Sequence, residues 1–590
     1  MCGICGELAF ERDASSEAIA KMMEPLRKRG PDASGVFVQQ NIGIGHRRLS
    51  IVDLSANAQQ PMVDPALGLT VAFNGCIYNY RELREELVAA GYTFFSDGDT
   101  EVILKAYAEW GPRCVERFYG MFAFAVAERD SGRLVLARDR LGIKPLYLSD
   151  TGQSLRFASS LPALLAAGGV DTAIDRAALH HYMSWHAVVP APMTIFKGIR
   201  KLAPATILTV EPDGTRREEA YWTFSVGTRR QDRHIKPDEW RDELLATLSA
   251  AVRRRMVADV PVGVLLSGGL DSSLLVALLA EQGQAGLNTF AIGFEAVGDV
   301  SGDEFYYSDL VAREFGTNHH KISVTAEAAL GALPGTIAAM SEPMMSHDAV
   351  GFYLLSQEVA KHVKVAQSGQ GADEVFAGYH WHQALRHSNN LTEDYARLYF
   401  DRDHAEMAEA LNPELMNGDY SREYIDQFFA RCNGAGPLDK VLQLDTEIML
   451  VDDPVKRVDN MTMAWGLEAR VPFLDHEVVE LAARMPPDLK VDQDSGKRVL
   501  KDAARQLLPA EVIDRPKGYF PVPALKYIRG PFRDFVADVL NDPKCRDRGL
   551  FNRPYIDRLL ADPDGELTPK GHSKLWQVAV LEAWLQAQGV

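Results

Sequence analysis

The sequence has no apolar run that approaches a membrane span, and its first residues, Met1-Cys2-Gly3-Ile4-Cys5-Gly6, lack the basic segment and apolar core of a secretory leader. These absences predict a soluble, cytoplasmic chain. Positive charge is in deficit, because 63 Lys and Arg face 81 Asp and Glu for a formal net charge of -18. That field repels nucleic acid and anionic membranes, so neither is an expected partner, and any polyphosphate must be gripped by local donors or a metal. Cysteine is scarce. The six present (Cys2, Cys5, Cys76, Cys114, Cys432 and Cys545) are scattered over 590 residues and make no disulfide framework. Cys2-x-x-Cys5 also lacks the second pair of ligands that a zinc site needs. There is no internal repeat and no low-complexity block.

What is present exceeds one hydrophobic core, and a chain of this length is expected to hold about two or three domains. The most informative stretch is Val264-Leu265-Leu266-Ser267-Gly268-Gly269-Leu270-Asp271-Ser272-Ser273. Before it, 260–266 is apolar without alternation, as in a strand buried on both faces of a parallel sheet. After it, Leu270, Leu274, Leu275, Leu278 and Leu279 recur at helical spacing. The small residues and hydroxyls between let backbone N–H groups close around an anion at the helix start. No Walker A lysine and no G-x-G-x-x-G register are present, so this turn is neither of those two nucleotide loops.

Residues 1 to about 225 read as a layered, strand-leaning unit with two helices. Strands are predicted over 4–10, 35–39, 42–46, 69–74, 122–128 and 133–138, and helices over 16–27 and 80–90. The polar stretch 226–237 is the expected linker between a domain at 2–225 and another at 238–590. Beyond it, strands over 260–266, 289–294, 319–324 and 363–367 alternate with helices around 270–282, 304–315 and 349–361, which predicts a doubly wound parallel sheet. Residues after about 380 read as mostly helical.

Cys2 stands out by position. Removal of Met1 would leave a cysteine whose own α-amine, titrating near about 8, is the nearest base for a thiol of about 8.5, an arrangement suited to acyl transfer from an amide. A buried structural cysteine is the alternative. Asn74-Gly75 offers a side-chain amide and an unencumbered N–H, the donors an oxyanion needs. Arg48 can fork onto a carboxylate, and Asp99 can hold an ammonium, although each alone would more often be a surface ion pair.

The motifs Met1-Cys2-Gly3-Ile4-Cys5-Gly6, Arg29-Gly30-Pro31-Asp32, Arg48-Leu49-Ser50-Ile51-Val52-Asp53, Phe73-Asn74-Gly75 and Arg138-Asp139-Arg140-Leu141-Gly142-Ile143-Lys144-Pro145 resemble a class II glutamine amidotransferase domain. The loop 267–273, the stretch 368–379, Leu467-Glu468-Ala469-Arg470-Val471-Pro472-Phe473-Leu474-Asp475 and Arg515-Pro516-Lys517-Gly518 resemble the asparagine synthetase family. The resemblance covers nearly the whole chain. It implies an α+β N-terminal nucleophile sandwich followed by an α/β doubly wound ATP-pyrophosphatase domain with a helical C-terminal part. It further implies Cys2 as nucleophile, Asn74 and Gly75 as oxyanion donors, and Arg48, Leu49, Ile51 and Asp99 as a glutamine clamp. In the second half it implies ATP contacts at Leu265, Ser267, Gly268, Gly269, Asp271, Ser272, Ile292, Ser368 and Gly369. Magnesium would lie on Asp271 and Asp373, and Lys497 would neutralise charge as a carboxylate attacks the α-phosphate. Glutamine, ATP and a carboxylate acceptor are the implied small-molecule substrates, and a homodimer fits the family.

Two positions depart from the pattern. Cys76 stands where asparagine synthetases carry glutamate after Asn74-Gly75, which removes a carboxylate expected near the glutamine α-ammonium. Gln370 stands where they place an acid beside the adenylate, and a neutral group there suits an acceptor whose amine is already acylated. With 74–80 and 185–192, these features are similar to the N-acetylglutaminylglutamine amidotransferase branch. The acceptor pocket is expected to draw on 342–349 and on the helical segment after Tyr379, with His380 and His382 either lining it or facing solvent.

Overall fold

The computed structural model describes residues 2–295, 303–432, 436–493, 495–515, 525 and 528–590, so the Pro516-Lys517-Gly518 motif lies outside the described residues. The first half contains strands β1 (Gly3–Ala9), β2 (Ala33–Gln39), β3 (Ile42–Arg48), β4 (Met62–Asp64), β5 (Leu69–Ile77) and β6 (Gly120–Glu128). It continues with β7 (Leu134–Arg138), β8 (Tyr147–Asp150), β9 (Ser154–Ala158), β10 (Arg200–Lys201), β11 (Thr206–Val210) and β12 (Arg216–Ala220). They form two six-stranded antiparallel sheets, ordered β10-β8-β9-β1-β3-β2 and β12-β11-β7-β6-β5-β4.

The inner faces pack Ile4, Leu8, Ile44 and Phe157 of one sheet against Ala72, Ala123, Ala125 and Leu136 of the other. Alanines on β5 and β6 present little bulk to the opposing large side chains. On the outer face of the second sheet, Phe73, Phe122 and Phe124 meet helices Tyr80–Ala89 and Asp99–Trp110. On the outer face of the first, Cys5 meets Ile19, Met22 and Met23 of helix Ser16–Met23. The order is therefore helix, sheet, sheet, helix, the expected sandwich.

The expectation of two helices in this unit is corrected, because Asp99–Trp110, Leu161–Ala166 and Arg176–Ser184 are helical as well. Asp99–Trp110 is buried from residue 99 to residue 107, and a helix covered on all sides shows no apolar stripe. The expected linker is strapped down. Asp232 receives Arg484 Nε and Nη2 at 3.0 and 2.9 Å, and Gly227 N donates to Ala483 O, before Pro237 opens helix Pro237–Arg254.

The second half holds a five-stranded sheet of β13 (Val262–Leu265), β14 (Asn288–Phe294), β15 (Asn318–Val324), β16 (Val365–Gln367) and β17 (Glu468–Arg470). The order is β15-β14-β13-β16-β17, and every neighbouring pair is parallel. The strand order reverses between β13 and β16, so the turn after β13 opens at the switch point where open α/β sheets bind ligands. Helix Ala326–Ala339 had no counterpart in the sequence reading, since Gly331, Pro334 and Gly335 argue against a helix there. The two halves share one apolar core, in which Leu179, Tyr182 and Met183 meet Leu575, Trp576 and Trp584 of helix Lys574–Ala587. Among the described residues no helix is long and apolar enough to cross a membrane.

Two candidate active sites

Cys2 precedes β1 at the end of the first sheet, facing β5 of the second. Its backbone N donates to Asn74 Oδ1 at 3.0 Å, and Asn74 is fully buried with its Nδ2 making no hydrogen bond. A buried donor left without a partner costs free energy, so this amide is poised for an acceptor brought in by a ligand. Gly75, Arg48, Leu49, Ile51 and Asp99 line the same cavity as Cys2. All the residues expected around Cys2 therefore converge.

Two of them also have partners within the chain. Arg48 gives its guanidinium to the carbonyls of Ser55 and Asp53. The Ile51 carbonyl accepts from Asp259 N at 2.8 Å, so that backbone group also ties the first half to the second. Asp99 accepts from Ile77 N at 3.0 Å, and burial pushes its carboxyl up to about 6, with the Glu468 charge adding to the effect. Burial also raises the Cys2 thiol, against the pull of the chain's terminal ammonium, the Leu49 backbone and Arg48.

Glu468 and Arg470 line this cavity too, and their motif carried no expected role. They come from β17, at the edge of the second-half sheet. Arg470 Nε donates to Glu468 Oε1 at 2.6 Å, and Nη2 lies 3.7 Å from Cys76 Sγ. Glu468 is held at about 2 despite burial, by the terminal ammonium first and then by Arg470 and Lys144. A carboxylate thus lies on the cavity whose glutamate is absent at position 76, contributed by the other half of the chain. The available signal was the charged pair Glu468-x-Arg470 inside an otherwise apolar run. Arg29 makes a second link, donating to Cys2 O at 3.3 Å and to Asp459 at 2.8 Å.

The second site forms around the turn after β13. Gly268 has φ +73, and a Cβ there would lie 2.5 Å from Ser308 N, so both conformation and space require glycine. Ser267 Oγ and Ser272 Oγ lie 3.1 Å apart, and Gly269 N donates to Ser267 Oγ, which folds the turn over the start of helix Leu270–Glu281. That helix has no side-chain cap, so its amino end is open to an anion. A Cβ on Gly369 would lie 3.0 Å from Asp271 Cβ, and this close approach seats the loop after β16 against the same helix end. Ser368 is buried within that loop, while Leu265 and Ile292 stand on β13 and β14 beside it.

Lys497 joins the two loops. Its Nζ lies 2.6 Å from Asp271 Oδ2 and 2.9 Å from Asp373 Oδ1, and the two carboxylates override burial to raise its pKa. Hard oxygen donors that already bracket one positive charge fit a divalent cation held with phosphate oxygens. Arg515, from the motif otherwise outside the described residues, pairs with Glu304 at 2.9 Å and stacks over Tyr307, with Nη2 3.7 Å from where a Gly269 Cβ would sit. It is a further cation at the turn.

Gln370 is half-buried in the loop between Gly369 and Asp373. Of the two histidines left open, His380 is exposed. His382 is fully buried, with Nε2 2.9 Å from Asp445 Oδ2, and is a core residue. Glu342, expected near the acceptor pocket, is buried among Lys201 at 3.2 Å, Lys456 at 3.5 Å and the Tyr147 hydroxyl at 3.3 Å. Trp185 of the 185–192 stretch is likewise core, packed on Phe400 and Tyr424.

Comparison with known proteins adds sequence relationships to this geometry. Residues 1–222 match the glutamine amidotransferase domain family, and 243–586 match the asparagine synthase family. The chain is 31% identical to asparagine synthetase [glutamine-hydrolyzing] 1 of Bacillus subtilis, over 99% of this chain and 96% of that protein. It is 33% identical to a putative asparagine synthetase of Mycobacterium bovis over 89% of this chain and 88% of that one. Identity to asparagine synthetase B of Escherichia coli is 30%, covering 88% and 82%.

Proposed function

The chain belongs to the asparagine synthetase family, and from that premise we propose that it uses ATP to activate a carboxylate and amidates it with ammonia taken from glutamine, the acid being the C-terminal carboxylate of N-acetylglutaminylglutamine. The observation that carries the general reading is the pairing of the Cys2–Asn74 cavity with the Asp271–Lys497–Asp373 cluster in one chain.

With Met1 removed, the Cys2 nitrogen becomes an α-amine and takes the thiol proton, and the sulfur attacks the glutamine side-chain amide carbon. Asn74 Nδ2 and Gly75 N–H stabilise the oxyanion, and ammonia leaves once protonated by the amine. Water then cleaves the thioester to glutamate. Asp99 and Glu468 supply negative charge for the substrate ammonium, and Arg48 supplies positive charge for its carboxylate.

At the second site Ser267, Gly268, Gly269 and Ser272 cradle the pyrophosphate, and Leu265, Ile292, Ser368 and Gly369 flank the adenosine. An acceptor carboxylate oxygen attacks the α-phosphorus, and pyrophosphate departs. Lys497 offsets the negative charge that grows on the phosphoryl oxygens. Magnesium, on Asp271 and Asp373, would screen the phosphate charges. Ammonia then displaces AMP from the acyl-adenylate to give the amide.

The acceptor assignment rests on Gln370. A neutral side chain beside Asp373 offers nothing ionic to a free α-ammonium and suits an amine already acylated. Similarity to asparagine synthetases along the whole length favours the second reading, in which the acceptor is aspartate. Pyrophosphate release measured with ATP, ammonium and each acid in turn separates them. Release with the capped dipeptide and little with aspartate is expected; the opposite ranking overturns the acceptor assignment and leaves the general reaction standing.

A further inference from the structure

Away from both sites, three residues from three helical segments turn ligand atoms toward one point. His180 lies on helix Arg176–Ser184 in the first half, His404 opens helix His404–Ala410, and Asp419 caps helix Tyr420–Arg431. One ligand atom from each lies within 4.8 Å of the other two. We propose that this cluster is a zinc site that clasps the amidotransferase half to the synthetase half.

The buried imidazole carries the argument. His180 is 2% exposed, and its Nε2 has no hydrogen-bond partner, with Asp419 Oδ1 3.7 Å away. An interior nitrogen left this way is unfavourable unless something else takes its lone pair. The other ring nitrogen is anchored. His180 Nδ1 and His181 Nδ1 each lie 3.0 Å from Ser421 Oγ, and Ser421 is fully buried. One hydroxyl has one proton, so it donates to one ring and accepts from the other. In the arrangement where His180 Nδ1–H donates to Ser421 and Ser421 donates to His181, the Nε2 lone pair of His180 faces His404 and Asp419. This is the usual support of a metal-bound histidine, whose second nitrogen is fixed by an outer hydrogen bond.

Zinc bonds of about 2.0–2.2 Å require donors roughly 3.3 Å apart, so the cluster must contract from its present spread. His404 is exposed and Asp419 half-buried, so both can move while His180 stays fixed. Two imidazoles, one carboxylate and a water would complete a tetrahedron, and the water faces the exposed side at His404. Asp419 Oδ1 also accepts from Arg422 N at 3.3 Å, so the cap and the metal share one carboxylate. None of these residues touches the cavity of Cys2 or the turn after β13, and the proposal does not depend on the identity of the acceptor.

The test is zinc titration of the full-length, chelator-treated protein in nucleotide-free buffer, read by calorimetry and by metal content after dialysis. One zinc per chain is expected, with a melting temperature that rises on zinc addition. His404→Ala, an exposed position, should weaken binding at least about a hundredfold and abolish the thermal shift. Ser421→Ala should weaken it about tenfold through loss of the outer hydrogen bond. Amidation rates at saturating substrate should not differ between the His404→Ala variant and the parent. Absence of saturable binding, or equal zinc uptake by the parent and His404→Ala, overturns the proposal.

Discussion

The two sites are built on opposite electrostatic plans. Around Cys2, burial dominates. Desolvation lifts the thiol and the Asp99 carboxyl, and a buried amide, Asn74, stands beside them. Around Asp271, charge dominates. Two carboxylates, Asp271 and Asp373, bracket the Lys497 ammonium. The first plan suits a small neutral amide whose only new charge is an oxyanion, whereas the second suits a highly charged nucleotide on a chain whose net charge would repel it.

Arg470 belongs to both plans. Its carbonyl accepts from Ser368 N at 2.8 Å in the second site, while its guanidinium lines the Cys2 cavity and holds Glu468. A three-residue strand thus reaches both clusters.

The contrast can be broken most severely at Lys497. Lys497→Met removes the ammonium between Asp271 and Asp373, and AMP formation should fall about a thousandfold while glutamine hydrolysis stays within about twofold, measured by separate product assays. Arg470→Met should affect both sites. Removing the guanidinium beside the buried Glu468 carboxylate should destabilise the fold, seen as a lowered denaturation midpoint together with losses in both partial reactions. A loss in only one reaction would show that the strand does not couple the two geometries.

Asn74→Ala should reduce glutamine hydrolysis about a hundredfold with little change in ammonia-dependent synthesis, because only one oxyanion donor is removed. The smallest effect is a pH dependence. Asp99 is raised to about 6, so the protonated form is favoured below that pH, and only the carboxylate can hold the substrate ammonium. Affinity for glutamine should therefore fall about tenfold for each pH unit below about 6, and Asp99→Asn should flatten that profile, read from KM against pH.

The sequence exposed the second half more readily than the first. The apolar run into Ser267-Gly268-Gly269 and the alternation of strands with helices located β13, β14, β15 and β16, because a doubly wound sheet repeats one local pattern. β17 escaped notice, since its three residues include a buried ion pair where a strand signal would need apolar side chains. In the first half the edge strand β12, Arg216–Ala220, escaped for a related reason. Its charged residues suit an exposed sheet edge and carry no alternation. Cys2, Asn74 and Asp99 were legible as chemical types. Glu468 and Arg470 were not, because membership of a cavity more than 390 positions away from Cys76 is a property of the folded chain.

The claim that one chain holds two separable chemistries is tested most directly by Cys2→Ala, with pyrophosphate release followed in the presence of ATP and acceptor. With ammonium salts the variant should match the parent, and with glutamine it should release none above background. Equal loss with both nitrogen sources, or continued synthesis from glutamine, would contradict the account.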